Sequence, residues 1–146
     1  TIYPMNRHFY KTIVAAACAL LLIAACNDSY TPGISELRLV QSWLPDIEAS
    51  TIVAIKSDAE FRRLFDKPLP RKVDLGKEYL AVVRIDANNG INKIESAVTP
   101  QDDGSYTLSV RYTTDLTDVM TSRCIAWRVP LSVAPSDLHL KITKTE

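Results

Sequence analysis

Of the residue types that carry covalent or metal chemistry, the 146-residue chain holds three cysteines and two histidines. Cys26 closes an apolar run in the order Leu22-Ile23-Ala24-Ala25-Cys26. The small side chains of Ala24 and Ala25 let an extended backbone enter a peptidase site. Cleavage between Ala25 and Cys26 would leave a cysteine whose thiol can take a diacylglyceryl group and whose freed amine can take a third chain. The spacing therefore makes Cys26 the expected lipidation site. His139 is the only histidine past residue 25. It could join Asp137 or Ser136 in a hydrolytic constellation, but the chain has no Gly-x-Ser-x-Gly elbow and no Ser-x-x-Lys. A metal site needs several His, Cys or carboxylate ligands at workable spacing, and no such cluster is visible. The expectation is a non-enzymatic chain with no catalytic residue, metal or cofactor.

Three further stretches could act, each with a plainer reading. Asp86-Ala87-Asn88-Asn89-Gly90 begins like a calcium loop, yet its glycine falls fifth rather than sixth and position twelve is Ala97 instead of glutamate. Turn chemistry accounts for it better, with Asn89-Gly90 suited to positive φ at a hairpin. Cys124 lies in a strand-like segment between Arg123 and Ile125-Ala126-Trp127, with no histidine predictable beside it, which favours a structural thiol over a nucleophile. Trp43-Leu44 precedes Pro45 and could be a recognition edge or part of the core. Trp43, Leu44, Asn88 and Asn89 are the candidate partner-binding residues.

The elements that would place these residues begin with the anchor. Met5 is the expected start, with residues 1–4 upstream of it. Arg7 and Lys11 form a positive flank that stays cytoplasmic, and Ile13 to Ala25 is uninterrupted apolar sequence. A spanning helix needs about 20 such residues, so this run suits a signal h-region better than a permanent anchor. The segment resembles bacterial lipoprotein signal peptides through Ile23-Ala24-Ala25-Cys26. The expected division is a signal peptide over 1–25, a lipidated tether over 26–34 and one β-rich domain over 35–146. Two or more acyl chains give stable anchoring. The expected address is the bacterial cell envelope, at the outer membrane, with periplasmic and surface sides both open.

Removing residues 1–25 takes two basic residues and no acids from the 17 of each, leaving 15 against 17. A net charge of about −2 supplies no basic footprint, so nucleic acid is excluded as a partner. Cys18 leaves with the signal and Cys26 is committed, so no internal disulfide can form. The domain must hold by its core, for which its length suffices.

Within the domain, residues 36–43 fit a strand (Leu37, Leu39, Trp43) and a helical stripe equally. Thr51 to Lys56 is a β-branched strand. Ser57-Asp58-Ala59-Glu60 matches a capping box opening a short helix, with Phe61, Leu64 and Phe65 on one face and Pro68 and Pro70 beyond its end. Tyr79 to Ile85 reads as a central strand covered on both faces. Asn92 to Thr99, Ser105 to Thr113, Arg123 to Leu131 and the closing Leu138-Leu140-Ile142 segment complete six or seven strands. Tyr106, Leu108, Val110 and Tyr112 point inward by alternation. The expected fold is mainly β (α+β): a small antiparallel sheet curled into a sandwich or open barrel, with one short helix packed on it.

This layout resembles the protease-complex inhibitor-like (PrcB C-terminal-like) domains found in bacterial lipoproteins. The similarity lies in Thr51-Ile52-Val53-Ala54-Ile55-Lys56-Ser57 running into Glu60-Phe61-Arg62-Arg63-Leu64. It continues through Val73-Asp74-Leu75-Gly76-Lys77-Glu78-Tyr79-Leu80-Ala81-Val82-Val83, the paired strands and Val129-Pro130. The chain departs from the pattern at Arg84-Ile85-Asp86. The resemblance implies a β-rich fold, no catalytic residues, and a role in binding or regulating a protease complex. The expected partners are the membrane, through Cys26, and an envelope protein such as a protease. The alternative expectation is a glycan- or small-solute-binding lipoprotein with Trp43 and Tyr112 as a stacking surface.

Overall fold

Ten consecutive rungs join two strands at the centre of the molecule, from Glu78↔Pro130 to Ala87↔Thr121. The computed structural model describes residues 33–146, which fall within one compact unit. Its strands are β1 (Ser35–Leu37), β2 (Val53–Ile55), β3 (Glu78–Ala87), β4 (Ile91–Pro100), β5 (Tyr106–Thr114), β6 (Thr121–Pro130) and β7 (Leu138–Thr145), with helix α1 (Asp58–Phe65) after β2. They form a four-stranded sheet in the order β1-β6-β3-β2 and a three-stranded sheet in the order β4-β5-β7. The mainly β sandwich expected from the sequence is therefore observed, with one short helix and without barrel closure.

Three layers follow from the side-chain pattern of β3. Its odd positions, Tyr79, Ala81, Val83 and Ile85, meet Leu108 and Val110 of β5 and Ile125, Trp127 and Val129 of β6 between the sheets. Its even positions, Leu80 and Val82, join Ala126, Ile55, Leu37 and the helix residues Phe61, Leu64 and Phe65 on the opposite face. Both faces of β3 are covered, which is why the strand is apolar at nearly every position. The larger sheet is the middle layer.

The capping residues of α1 behave much as their spacing dictates. The Ser57 hydroxyl accepts the Glu60 amide at 3.1 Å, and the Glu60 carboxylate accepts the Lys56 amide at 3.2 Å, one residue before the cap. Asp66, at φ 51°, closes the helix by donating its amide to the Arg62 carbonyl, so the helix stops before Pro68. Phe61 and Phe65 stack at 4.5 Å, and Trp43 meets Phe61 edge-on at 6.5 Å. Each such pair contributes roughly 0.5–1.5 kcal/mol beyond its area burial.

Three features differ from the sequence reading. Residues 36–43 are neither a full strand nor a helix; β1 is three residues long, and the chain then leaves the sheet. Leu39 and Trp43 still pack on the helix-side core, because their spacing serves burial without regular structure. Asn88-Asn89-Gly90 is not a hairpin turn: β3 pairs with β2 and β6, whereas β4 pairs with β5 in the other sheet. Finally, β5 and β7 run parallel, the one parallel pair among the named strands. Among the described residues, no helix is long and apolar enough to cross a membrane.

Truncating Leu80 on the helix side or Leu108 between the sheets, both fully buried, should cost about 2–5 kcal/mol. Ser57→Ala should cost about 1 kcal/mol through its lost cap. Urea unfolding measures all three; a Leu80→Ala cost no larger than that of Ser57→Ala would contradict the two-faced core.

Candidate interaction surface

The chain changes sheet twice at one end of the molecule, and the two crossings lie against each other. One is Asn88-Asn89-Gly90, leaving β3 for β4; the other is the six-residue loop 115–120, leaving β5 for β6. Asp115 donates its amide to the Gly90 carbonyl at 2.8 Å. The Gly90 amide reaches the Thr117 hydroxyl oxygen, and the Asn89 side-chain amide reaches the Thr117 carbonyl, both at 3.3 Å. Within the loop, the Asp115 carboxylate accepts the Thr117 amide at 3.0 Å and also the Thr117 hydroxyl. The Thr117 hydroxyl and amide, with a smaller contribution from the Gly90 amide, hold the Asp115 carboxyl below its ordinary range.

Gly90 lies where this contact is tight. A Cβ there would sit 2.5 Å from both Asp115 carboxylate oxygens and 2.7 Å from Thr117 Oγ1, closer than real Cβ contacts allow. Its φ is not positive; among the described residues only Ser50, Asp66 and Gly104 have positive φ. The Asn-Gly pair therefore serves close approach of two chain segments, not a primed turn.

Braced this way, the loop presents Leu116 fully to solvent, with Val119 and Met120 exposed at 60% and 73%. Three large apolar side chains on one short segment are unusual for a water-facing loop. Isolated exposed apolar residues need no explanation, but adjacent ones mark contact surfaces. Two of the candidate partner-binding residues lie at this place: Asn88 is exposed and Asn89 is a brace. Leu116, Val119 and Met120 lie between the strands read as Ser105 to Thr113 and Arg123 to Leu131, where mixed polar and apolar residues give no periodic signal. Asp115 and Asp118 flanking them are the available clue.

The other candidates are dispersed. Trp43 is half-buried against Phe61, so it is a core residue; Leu44 beside it is 42% exposed, next to buried Pro45. Trp43 belongs to the helix-side core and Tyr112 to the inter-sheet core, so the two aromatics share no stacking surface. His139 is exposed and pairs across β7 with Thr107 of β5. Asp86 is occupied by the Ser122 hydroxyl at 2.6 Å and by Arg84 at 2.9 Å, and both bonds lower its carboxyl. Among the described residues, no group of three metal-ligating side chains gathers. Burial pushes the Cys124 thiol up to about 12, against a smaller opposing effect from Arg84. That keeps it protonated near neutrality and unsuited to nucleophilic attack. Ala25 and Cys26 lie outside the described residues.

A second feature is a groove of about 550 Å³ where β1, at the edge of the larger sheet, approaches β4, at the edge of the smaller one. Glu36 and Arg38 line one side, with Glu95, Ser96 and Arg111 on the other. The Ser96 hydroxyl donates to Glu36 across it. A neighbouring hollow of about 330 Å³ shares Glu36, Arg38 and Ile94, and adds Arg123 and Cys124. The described residues lining both include no aromatic. Comparison of the chain with models of protein families, with curated proteins and with solved structures finds no match.

Gly90→Ala should destabilise by about 1–3 kcal/mol, the range for forcing an extra methyl into a closed contact. Combining it with Asp115→Ala should cost less than the sum of the single changes by at least about 0.5 kcal/mol, because the clash partner is gone. A double-mutant cycle by denaturant unfolding reads this directly; strict additivity would mean that the two crossings do not touch.

Proposed function

We propose that the protein is a membrane-tethered envelope lipoprotein whose domain is a non-enzymatic interaction module, binding a protein partner with the 115–120 loop. The observation that carries this reading is the braced display of Leu116, Val119 and Met120. The start of this segment, at Asp115 and Thr117, is held by hydrogen bonds to the other crossing, which pre-organises that end of it. Binding then forgoes part of the ordering cost that a loose loop would incur. Burying three such side chains in a partner's pocket would contribute about 1.5–3 kcal/mol each before that cost. Interface energy concentrates in a few central apolar anchors of this kind.

A protease is the partner class that this reading favours. A short loop braced at its start and carrying exposed apolar side chains suits entry into a substrate cleft, and the spacing resemblance of residues 51–83 to protease-complex inhibitor-like domains points the same way. The lipid anchor on Cys26 would hold the module at the membrane surface, raising its effective concentration toward partners in the same envelope.

Replacing Leu116, Val119 and Met120 together by serine should change stability by less than about 1 kcal/mol, because all three are exposed. Wild-type protein isolated from detergent-solubilised envelope should bring one partner in stoichiometric amount, and the triple variant should lose it. Recovery of the wild-type chain alone, or equal recovery of the partner with both, would count against the proposal.

A further inference from the structure

We propose that the groove between β1 and β4, together with the hollow that adjoins it, binds an acidic, extended segment of a protein partner, gripping its carboxylates with Arg38, Arg111 and Arg123. Charge complementarity is the first argument. Among the described residues, none of these three arginines has a carboxylate within ion-pair distance, although Arg62, Arg84 and Arg128 all do; Arg123 donates from one Nη to the Ser122 carbonyl at 3.2 Å, leaving its other donors for a ligand. Glu95, directly across the strand pair from Arg111, is engaged by Lys93 at 2.6 Å. Glu36 takes the Ser96 hydroxyl instead of a guanidinium. Arg38 and Arg111 thus line the groove, and Arg38 and Arg123 line the hollow that adjoins it through Glu36, Arg38 and Ile94. Guanidinium groups bind carboxylates in two-point geometry more strongly than neutral donors do.

The walls decide which anion fits. Both β1 and β4 end their sheets, so each has an edge with no further strand, where backbone donors and acceptors can meet another backbone. An extended peptide can use guanidinium and backbone groups together. Glu36 and Glu95, set among the arginines, repel a dense polyanion such as polyphosphate or an anionic lipid sheet but tolerate a segment of mixed composition. Ile94 adds an apolar contact. The groove does not include the 115–120 loop, so it gives the partner a second, separate hold. The inference rests on the protein-binding reading above, but it can fail without it.

The test uses the full chain in detergent micelles and a fluorescein-labelled decapeptide of alternating glutamate and threonine, followed by anisotropy. Binding should weaken at least fivefold with Arg111→Gln and be lost with all three arginines replaced by glutamine, while Arg→Lys versions lose less. It should also fall as salt is raised, and the Leu116/Val119/Met120 serine variant should bind the peptide as well as wild type. No binding at millimolar peptide, equal binding by the glutamine variant, or equal binding of a lysine-threonine decapeptide would overturn the inference. Full displacement by inorganic phosphate at matched charge, or stronger binding to anionic phosphatidylglycerol vesicles than to the peptide, would also overturn it. Loss of the envelope partner from the loop variant, together with no peptide binding, would overturn the groove alone; recovery of no envelope partner by wild type would overturn the reading beneath it.

Discussion

The β3–β6 ladder is the constraint on which everything else in the domain depends. Its ten rungs fix two strands whose alternate side chains must be buried on opposite faces. Because a one-residue slip would exchange those faces, the register is strongly specified. One face recruits β4, β5 and β7, and the other recruits α1 with the segment around Trp43. Both covering layers lean on this pair: an eight-residue helix is marginal in water, and the three-stranded sheet has an apolar face that the larger sheet covers.

The same constraint creates the exposed loop. Burying both faces of the central pair forces the chain to leave β3 for the smaller sheet and to return from β5 to β6. Two connections therefore cross the gap between layers at one end. Backbone groups in such crossings need partners, and here they use each other, through Gly90, Asp115 and Thr117. That Leu116, Val119 and Met120 are apolar, where serine or lysine would serve the fold equally, is the feature that folding does not explain.

Much of this was legible in the chain. The Ser57-Glu60 spacing located the helix start, the near-continuous apolar run from Tyr79 to Ile85 identified the doubly covered strand, and alternation placed Leu108, Val110 and His139 on their observed sides. Those signals are local or periodic. What was hidden is long-range. Asn89-Gly90 has the chemistry of a tight turn, and nothing within five residues says whether the strands it joins share a sheet. The parallel pairing of β5 with β7 likewise depends on where the whole β6 strand goes. Pairings between distant parts of the chain carry no local composition signal. At the candidate sites, Asn88 and Asn89 fell beside the loop that matters, whereas the arginines of the groove come from β6, β5 and the segment after β1, and only folding brings them together.

We propose that the domain acts through its 115–120 loop. Site-specific photocrosslinking in intact cells tests it most directly, with benzoylphenylalanine placed singly at Leu116, Met120 and, as a control on the outer face of the smaller sheet, His139. A discrete adduct of one size is expected from positions 116 and 120 and none from 139. Adducts from 139 alone, or none from the loop while the protein is abundant, would contradict it.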